Sequence, residues 1–177
     1  MNKKLNIPQN ISMYGIITGT IFLIISYVGS INGYTTLPYL SLLLYISTVA
    51  HWYKLRNNSI RRYFDILIAN ITILYFTFFE ANKFTKKYKN LWYLTVLLIY
   101  TVYSINENIY IKQIVNPSKD VMELKDYNYF KLKYTKPNSI VREKACINVV
   151  LIHLIFLHLI PGIVCILCIL ASPKTNK

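Results

Sequence analysis

Histidine, cysteine and glycine are scarce in this chain of 177 residues, which contains three, three and five of them. No glycine-rich loop of the kind that cradles a phosphate is present, which excludes a glycine-based nucleotide site. The sequence has no internal repeat, which excludes a solenoid or a propeller. The few histidines that remain all lie in long apolar stretches.

Long apolar blocks dominate the sequence. Hydrophobic residues make up 54% of the chain and the mean hydropathy is +0.36, too apolar for an ordinary soluble domain of this size. A hydrocarbon core about 30 Å thick is crossed by roughly 17 to 25 helical residues, and the alternating pattern of barrel strands is not seen. We therefore predict an all-α fold, a polytopic transmembrane helix bundle that forms a single integral membrane domain over residues 1–177. About five spans are expected, over residues 13–31, 38–55, 63–80, 89–105 and 147–170.

Tyrosine and tryptophan lie near several span ends, where the headgroup layer favours their amphipathic rings. Such residues anchor helices at the membrane surface and carry no chemistry of their own. We expect this interfacial belt to contain Tyr39, Trp52, Tyr53, Tyr63, Trp92 and Tyr93.

The basic residues that give the chain its net charge of +13 flank the predicted spans. With five spans, fourteen of the 20 Lys and Arg residues lie on the side of the amino terminus. The positive-inside rule then places that terminus in the cytoplasm, although a basic cluster at 84–89 lies on the other side. Residues 106–146 form a polar cytoplasmic loop, with a helix expected over 118–129. Because the basic residues flank spans, we expect membrane lipids with anionic headgroups as partners and no nucleic acid.

Polar residues of three predicted spans meet at one depth. Ser47 and His51 are four residues apart and share one face of the second span. Asp65 opens the third span on the same side of the membrane, and His153 lies near the start of the last span. An ionisable group at membrane depth indicates a functional site, because its desolvation costs several kcal/mol.

This pattern resembles the superfamily of alkaline ceramidases, progestin and adipoQ receptors and related membrane hydrolases. The resemblance covers Ser-x-x-x-His at 47–51, Asp65 and the histidine pair of the last span, within residues 40–70 and 147–162. It implies a helix bundle in which His51, His153 and His158 bind Zn²⁺, with Ser47 and Asp65 as catalytic residues beside the metal. The family has seven spans where this chain has five.

The last histidine pair departs from the family pattern. The family spaces it His-x-x-x-His, whereas His153 and His158 are one residue further apart and would diverge by about 140° on a regular helix. Pro161 removes a backbone hydrogen bond in the next turn. We therefore predict a π-bulge that brings the two rings back towards one face.

The resemblance implies a metal-dependent hydrolase. Zinc held by three neutral imidazoles lowers the pKa of a bound water to about 7, and the resulting hydroxide attacks a carbonyl. Asp65 would orient or deprotonate that water and protonate the leaving group. Ser47 would donate a hydrogen bond to the water or to the developing oxyanion. The expected substrate is an amide or ester in a lipid headgroup.

The alternative is a small multi-pass membrane protein without catalysis that acts by interaction or scaffolding. His51 and Asp65 would then lie in the headgroup layer, solvated or paired with Arg61 or Arg62. Ser47 would bond a carbonyl of its own helix, as serine in membrane helices often does. His158 would be a residue of a helix contact.

Two further polar groupings give weaker indications of a function. Cys165 and Cys168 form a C-x-x-C pair in the last span, but no cysteine pair in a loop is present to relay electrons from it. Asn70 and Glu80 on the third span would suit an ion path, but Glu80 is close to Lys83 and is more simply an anchor.

Overall fold

The computed structural model describes residues 9–53, 59–109 and 140–172. All regular structure in these ranges is helical, which confirms the predicted all-α fold. The helices are α1 (Gln9–Ile31), α2 (Thr36–Tyr53), α3 (Ile60–Tyr75), α4 (Lys86–Ile109), α5 (Ile140–His153) and α6 (Ile160–Leu170). A first π segment, Phe76–Glu80, extends α3 and leads into a 3-10 turn at Ala81–Lys83. A second π segment, Leu154–Leu159, joins α5 and α6 into one continuous helical element.

Three helical stretches of the described residues are long and apolar enough to cross a membrane. They are Ile11–Ile31, Ile60–Lys83 and Ile147–Leu170. These stretches correspond to the first, third and fifth predicted spans, and the other two predicted spans coincide with α2 and α4. The chain is therefore that of a membrane protein.

The polar loop predicted over 106–146 is shorter than expected. Helix α4 continues to Ile109 and α5 begins at Ile140, because polar residues at helix ends do not stop a helix that packs along its neighbours. The rest of that loop, with the helix expected over 118–129, lies outside the described residues.

The turn between α1 and α2 holds these helices in a tight antiparallel hairpin. Gly33 has a φ of 82°, which a glycine adopts without steric cost. Its N–H bonds the carbonyl of Ser30, and the N–H of Tyr34 bonds the carbonyl of Gly29, which is the Schellman pattern of a helix end. The hairpin sets the first half of α1 against the second half of α2, where Ser47 and His51 lie.

The helices pack into one bundle. Helix α2 packs on α1 and α3, and α6 packs on both α1 and α4. The core between them is apolar and contains Phe22, Leu37, Leu44, Phe76, Trp92 and Ile169, among others. Many large apolar side chains remain on the outside, such as Ile24, Leu67, Leu94 and Ile163. An apolar outer surface of this extent suits contact with lipid.

The aromatic residues of the predicted belt differ in their exposure. Tyr39, Tyr53, Tyr63 and Tyr93 are exposed on the outer surface. Trp52 and Trp92 are each only 3% exposed. The Trp92 Nε1 donates to Thr77 Oγ1 at 2.9 Å, and the Trp52 ring fits against a glycine of α1. Both tryptophan rings are therefore part of the helix packing.

Candidate functional site

Asp65 is held by two hydroxyl groups of the neighbouring helix. Ser47 Oγ donates to Asp65 Oδ1 at 2.7 Å, and Thr48 Oγ1 donates to the same oxygen at 3.0 Å. Ser59 caps the start of α3 by accepting the N–H of Arg62, and this places Asp65 opposite the two hydroxyls. Ser47, Thr48 and Asp65 are all buried, so Asp65 is held by helix contacts and is not solvated.

Ser47 also makes the local contact that the non-catalytic alternative expects. Its Oγ lies 2.9 Å from the carbonyl oxygen of Leu44, one turn earlier in α2. The side chain therefore bridges its own helix and α3. The two contacts fix the rotamer of Ser47, and the hydroxyl proton is directed to acceptors inside the bundle.

The second π segment determines where His153 and His158 point. A π-helix forms hydrogen bonds between residues five apart, so residues at that spacing lie on one face. Leu154–Leu159 adopts this geometry directly before Pro161, which has no N–H to donate. The imidazole centroids of His153 and His158 are 5.2 Å apart, with ring planes at 73°. The predicted π-bulge is confirmed.

Trp52 lies among the three histidines. Its ring meets the imidazoles of His51, His153 and His158 edge-on, at centroid distances of 5.4, 5.6 and 6.3 Å. His158 also meets His153 directly, with its ring centroid 5.2 Å away. The three imidazoles thus form one cluster around the Trp52 ring.

Two buried nitrogen atoms of this cluster have no hydrogen-bond partner within the ranges that the structure describes. They are His51 Nδ1 and Trp52 Nε1. Most buried polar atoms in native proteins are paired, so an unpaired imidazole nitrogen calls for a partner such as water or a metal ion. His51 thus has a nitrogen available for a ligand.

Helix α1 carries no predicted site residue, yet it forms a wall of the site. At Gly15 a Cβ would lie 2.1 Å from Trp52 Cδ2, so only glycine lets this ring approach α1 so closely. Ser12 Oγ donates to the backbone carbonyl oxygen of Trp52. Thr18 Oγ1 lies 3.1 Å from His158 Nδ1.

A cavity of about 130 Å³ lies beside these side chains. Its lining includes the polar side chains of Thr48, Asp65, His153 and His158. Most of the other lining residues are apolar, among them Phe22, Leu37, Leu44, Ile73, Phe76, Trp92 and Ile99. An apolar cavity with a few convergent polar groups is typical of a site for a small ligand.

The described residues do not include three His, Cys, Asp or Glu side chains arranged around a point that would hold a metal ion. Two of the three predicted ligands do have a suitable spacing. Imidazoles bound to tetrahedral zinc through nitrogens about 2.05 Å away have centroids about 5.2 Å apart. The His153 and His158 centroids are separated by 5.2 Å, whereas Trp52 stands between this pair and His51.

All five predicted site residues lie in the same region of the bundle, but three further residues were missed. Thr48 binds Asp65 alongside Ser47, and Thr18 contacts His158 across 140 positions of sequence. Trp52 was assigned to the membrane surface. Only Thr48 has a sequence indication, because it directly follows Ser47 and precedes His51 by three residues.

The remaining polar groups make contacts of their own, and two of them, Asn70 and Cys165, line the same cavity. Glu80 is buried and pairs with Lys83 at 2.5 Å and with the Tyr75 hydroxyl at 2.8 Å, as expected for an anchor. Asn70 bonds the carbonyl of Ile66 and accepts from Tyr100. Cys165 and Cys168 are free, buried thiols.

Comparisons with protein-family models, with curated proteins and with solved structures found no match. The resemblance to the ceramidase superfamily therefore rests on the residues of this chain. A function has to be argued from the geometry of the cluster around Asp65 and the three histidines.

Proposed function

We propose that the protein is a membrane-embedded, metal-dependent hydrolase that cleaves an amide or ester of a lipid, as its resemblance to the alkaline ceramidases implies. The observation that supports this most is that Asp65 and the His153–His158 pair line the same cavity. A carboxyl group and two imidazoles in the lining of one largely apolar cavity suit general acid–base catalysis on a bound carbonyl compound.

His51, His153 and His158 would hold the metal, for which Zn²⁺ is the simplest choice. The spacing of the His153–His158 pair and the unpaired Nδ1 of His51 support this assignment. For His51 to join the pair, its ring must turn past Trp52. Zinc bound by three imidazoles polarises a carbonyl group and lowers the pKa of a water to about 7.

Asp65 would take a proton from the attacking water and return it to the leaving amine or alcohol as the carbonyl–nitrogen or carbonyl–oxygen bond breaks. Ser47 and Thr48 donate to its Oδ1, and the other carboxyl oxygen is engaged by neither hydroxyl. In this arrangement Ser47 positions Asp65. This role differs from the direct contact with water or oxyanion expected from the sequence.

The apolar lining of the cavity supports a lipid substrate. The lining extends from Thr48 to Leu37 along α2, and from Asp65 along α3 to Phe76 in the first π segment. Apolar side chains along these stretches would contact an alkyl chain of the substrate.

In the membrane we place this protein as a five-span bundle with its amino terminus in the cytoplasm. The distribution of Lys and Arg, fourteen on one side and six on the other, supports this orientation. Asp65 would then lie near the cytoplasmic headgroup layer, where lipid amides and esters are found. Lipids would be the partners of the protein, and nucleic acid would not.

A second candidate function is a non-catalytic membrane protein that acts by interaction or scaffolding. The position of Trp52 favours it, because an aromatic ring packed edge-on against all three imidazoles is a feature of a filled core. This ring separates His51 from the other two histidines.

Metal analysis and hydrolysis assays on the purified full chain distinguish the two functions. We expect wild-type protein to bind zinc and to hydrolyse labelled ceramides or phospholipids, and His51→Ala and His153→Ala to lose both properties. Asp65→Asn should keep the metal and lose about 100-fold or more in hydrolysis rate. Ser26→Ala removes a hydroxyl that bonds the carbonyl of Pro38, away from the site, and should change neither property. Folded wild-type protein that binds no zinc and cleaves none of these lipids would contradict the proposed hydrolase function.

A further inference from the structure

The hydrogen bonds of Thr18 constrain the tautomer of His158. Thr18 Oγ1 lies 2.8 Å from the carbonyl oxygen of Tyr14 and 3.3 Å from that of Gly15, both about one turn earlier in α1. A hydroxyl has one proton and two lone pairs, so a proton given to these backbone carbonyls leaves a lone pair for a second partner. His158 Nδ1 lies 3.1 Å from Thr18 Oγ1, a distance at which an Nδ1–H donates to that lone pair.

We propose that Thr18 is a positioning residue that holds His158 as the Nδ1–H tautomer and so presents the Nε2 lone pair as a metal ligand. This inference rests on the proposed metal-dependent function and names a residue that prepares its site. Histidines that bind metals commonly donate the other ring N–H to an oxygen acceptor, which fixes both tautomer and ring orientation. Thr18 Oγ1 is such an acceptor.

The packing around His158 restricts the ring in the same way. Phe22 lies edge-on at a centroid distance of 5.3 Å, and His153 lies at 5.2 Å. The side chain of His158 is only 4% exposed. With the ring packed and Nδ1 bonded to Thr18, the imidazole has one tautomer and one orientation. His51 is different, because its Nδ1 has no partner among the described residues.

Close packing of α1 brings Thr18 within reach of His158. At Gly19 a Cβ would lie 3.0 Å from Thr48 Cγ2, and at Gly15 it would overlap the Trp52 ring. Both glycines therefore let α1 approach the face of α2 that carries the site. The second π segment, which carries His158, also packs on α1.

Nitrogen NMR on the metal-free protein tests the tautomer directly. The full chain is labelled with ¹⁵N-histidine and measured above the ordinary imidazole pKa of about 6.5, and His158→Gln assigns the signal. We expect wild-type His158 to carry its proton on Nδ1. Thr18→Ser should keep that tautomer, and Thr18→Val should give a mixture or the Nε2–H form. Thr20→Val is the matched control, because the exposed Thr20 hydroxyl bonds only the carbonyl of Ile17.

Cobalt titration followed by visible absorption measures the consequence for metal binding. Thr18→Val should weaken Co²⁺ binding by about 10- to 100-fold, while Thr18→Ser and Thr20→Val should match wild type. An Nε2–H tautomer in the wild type, or a tautomer and affinity unchanged by Thr18→Val, would overturn the role of Thr18. If the tautomer is as expected but wild-type protein binds no metal, the proposed hydrolase function fails and the assignment of the Thr18 hydrogen bond stands.

Discussion

A carboxyl group buried among apolar helices requires hydrogen-bond donors, because an unsatisfied polar group in such surroundings costs several kcal/mol. Asp65 finds two donors on α2, Ser47 and Thr48, and both end on Oδ1. Both hydroxyls therefore donate hydrogen bonds to the same buried carboxyl group. The two hydrogen bonds are expected to depend on each other.

Removal of either hydroxyl should destabilise the fold, and removal of both should destabilise it by more than the sum of the two single losses. Ser47→Ala and Thr48→Val should each lower the free energy of unfolding by about 1.5 to 3 kcal/mol, the range for a hydrogen bond to a charged group. The double variant should lose more than the sum of the single losses, by about 0.5 kcal/mol or more, because Asp65 then keeps neither donor. Denaturant unfolding in detergent measures these differences, with Ser26→Ala as control. Strictly additive effects would show that the two hydroxyls act independently of a shared carboxyl group.

Some residues of the site could be predicted from the sequence and others could not. Histidine and aspartate are conspicuous in apolar stretches, because keeping them there requires compensation. Threonine is not conspicuous, because in membrane helices its hydroxyl usually bonds a carbonyl of its own helix. Thr20 and Thr72 do so here. Thr18 makes the same local bond and also reaches His158, and only the fold distinguishes it from the others.

At the scale of elements, the two π segments differ in how far the sequence indicates them. The second was predicted because the His153–His158 spacing and Pro161 both favour an extra residue in that turn. The first, Phe76–Glu80, has no proline within it and no paired ligands. It ends at buried Glu80, which binds Lys83 in the next turn. Hydrophobicity alone does not distinguish a π turn from an α turn, so this segment was not predicted.

The close packing of α1 against α2 should depend on Gly15 more than on Gly29. Gly15→Ala places a Cβ 2.1 Å from the Trp52 ring, and we expect a loss of about 1 to 3 kcal/mol in the free energy of unfolding. Gly29→Ala is the matched control in the same helix. Its Cβ would be 3.4 Å from Pro38 Cγ, an ordinary contact, and alanine favours the helix.

Thermal or denaturant unfolding in detergent compares the two glycine variants, and tryptophan fluorescence follows the environment of Trp52. Gly15→Ala should also shift that fluorescence, because the ring must move away from α1. Equal stability of the two variants would contradict the contact between Gly15 and Trp52, and with it the wall that α1 forms at the site.

At the scale of the whole molecule, the helical class and the approximate positions of the helices follow from the apolar blocks. The helix ends do not follow from them. Helix α1 begins at Gln9 and α4 at Lys86, because polar residues extend both helices beyond the apolar blocks. For the same reason, length and hydropathy single out three stretches as spans, while α2 and α4 are helical and more polar at their ends. The number of crossings is therefore a question for experiment.

Cysteine labelling at two exposed lysines can distinguish the possible topologies. With the three native cysteines replaced by serine, Lys87→Cys and Lys144→Cys are treated in intact cells with a maleimide that does not cross membranes. Five spans with a cytoplasmic amino terminus place residue 87 outside and residue 144 inside, so only Lys87→Cys should react. Both should react after permeabilisation, which is the control for accessibility.

Each other topology gives a different labelling pattern. If only the three most apolar stretches cross and the amino terminus is cytoplasmic, residues 87 and 144 both lie inside and neither variant reacts in intact cells. Five spans in the opposite orientation expose residue 144 alone. Among these three patterns, the first alone puts Asp65 and the histidine cluster towards the cytoplasmic headgroup layer, because α3 then enters the membrane from that side. The labelling experiment therefore determines from which leaflet a lipid substrate would have to reach the cavity.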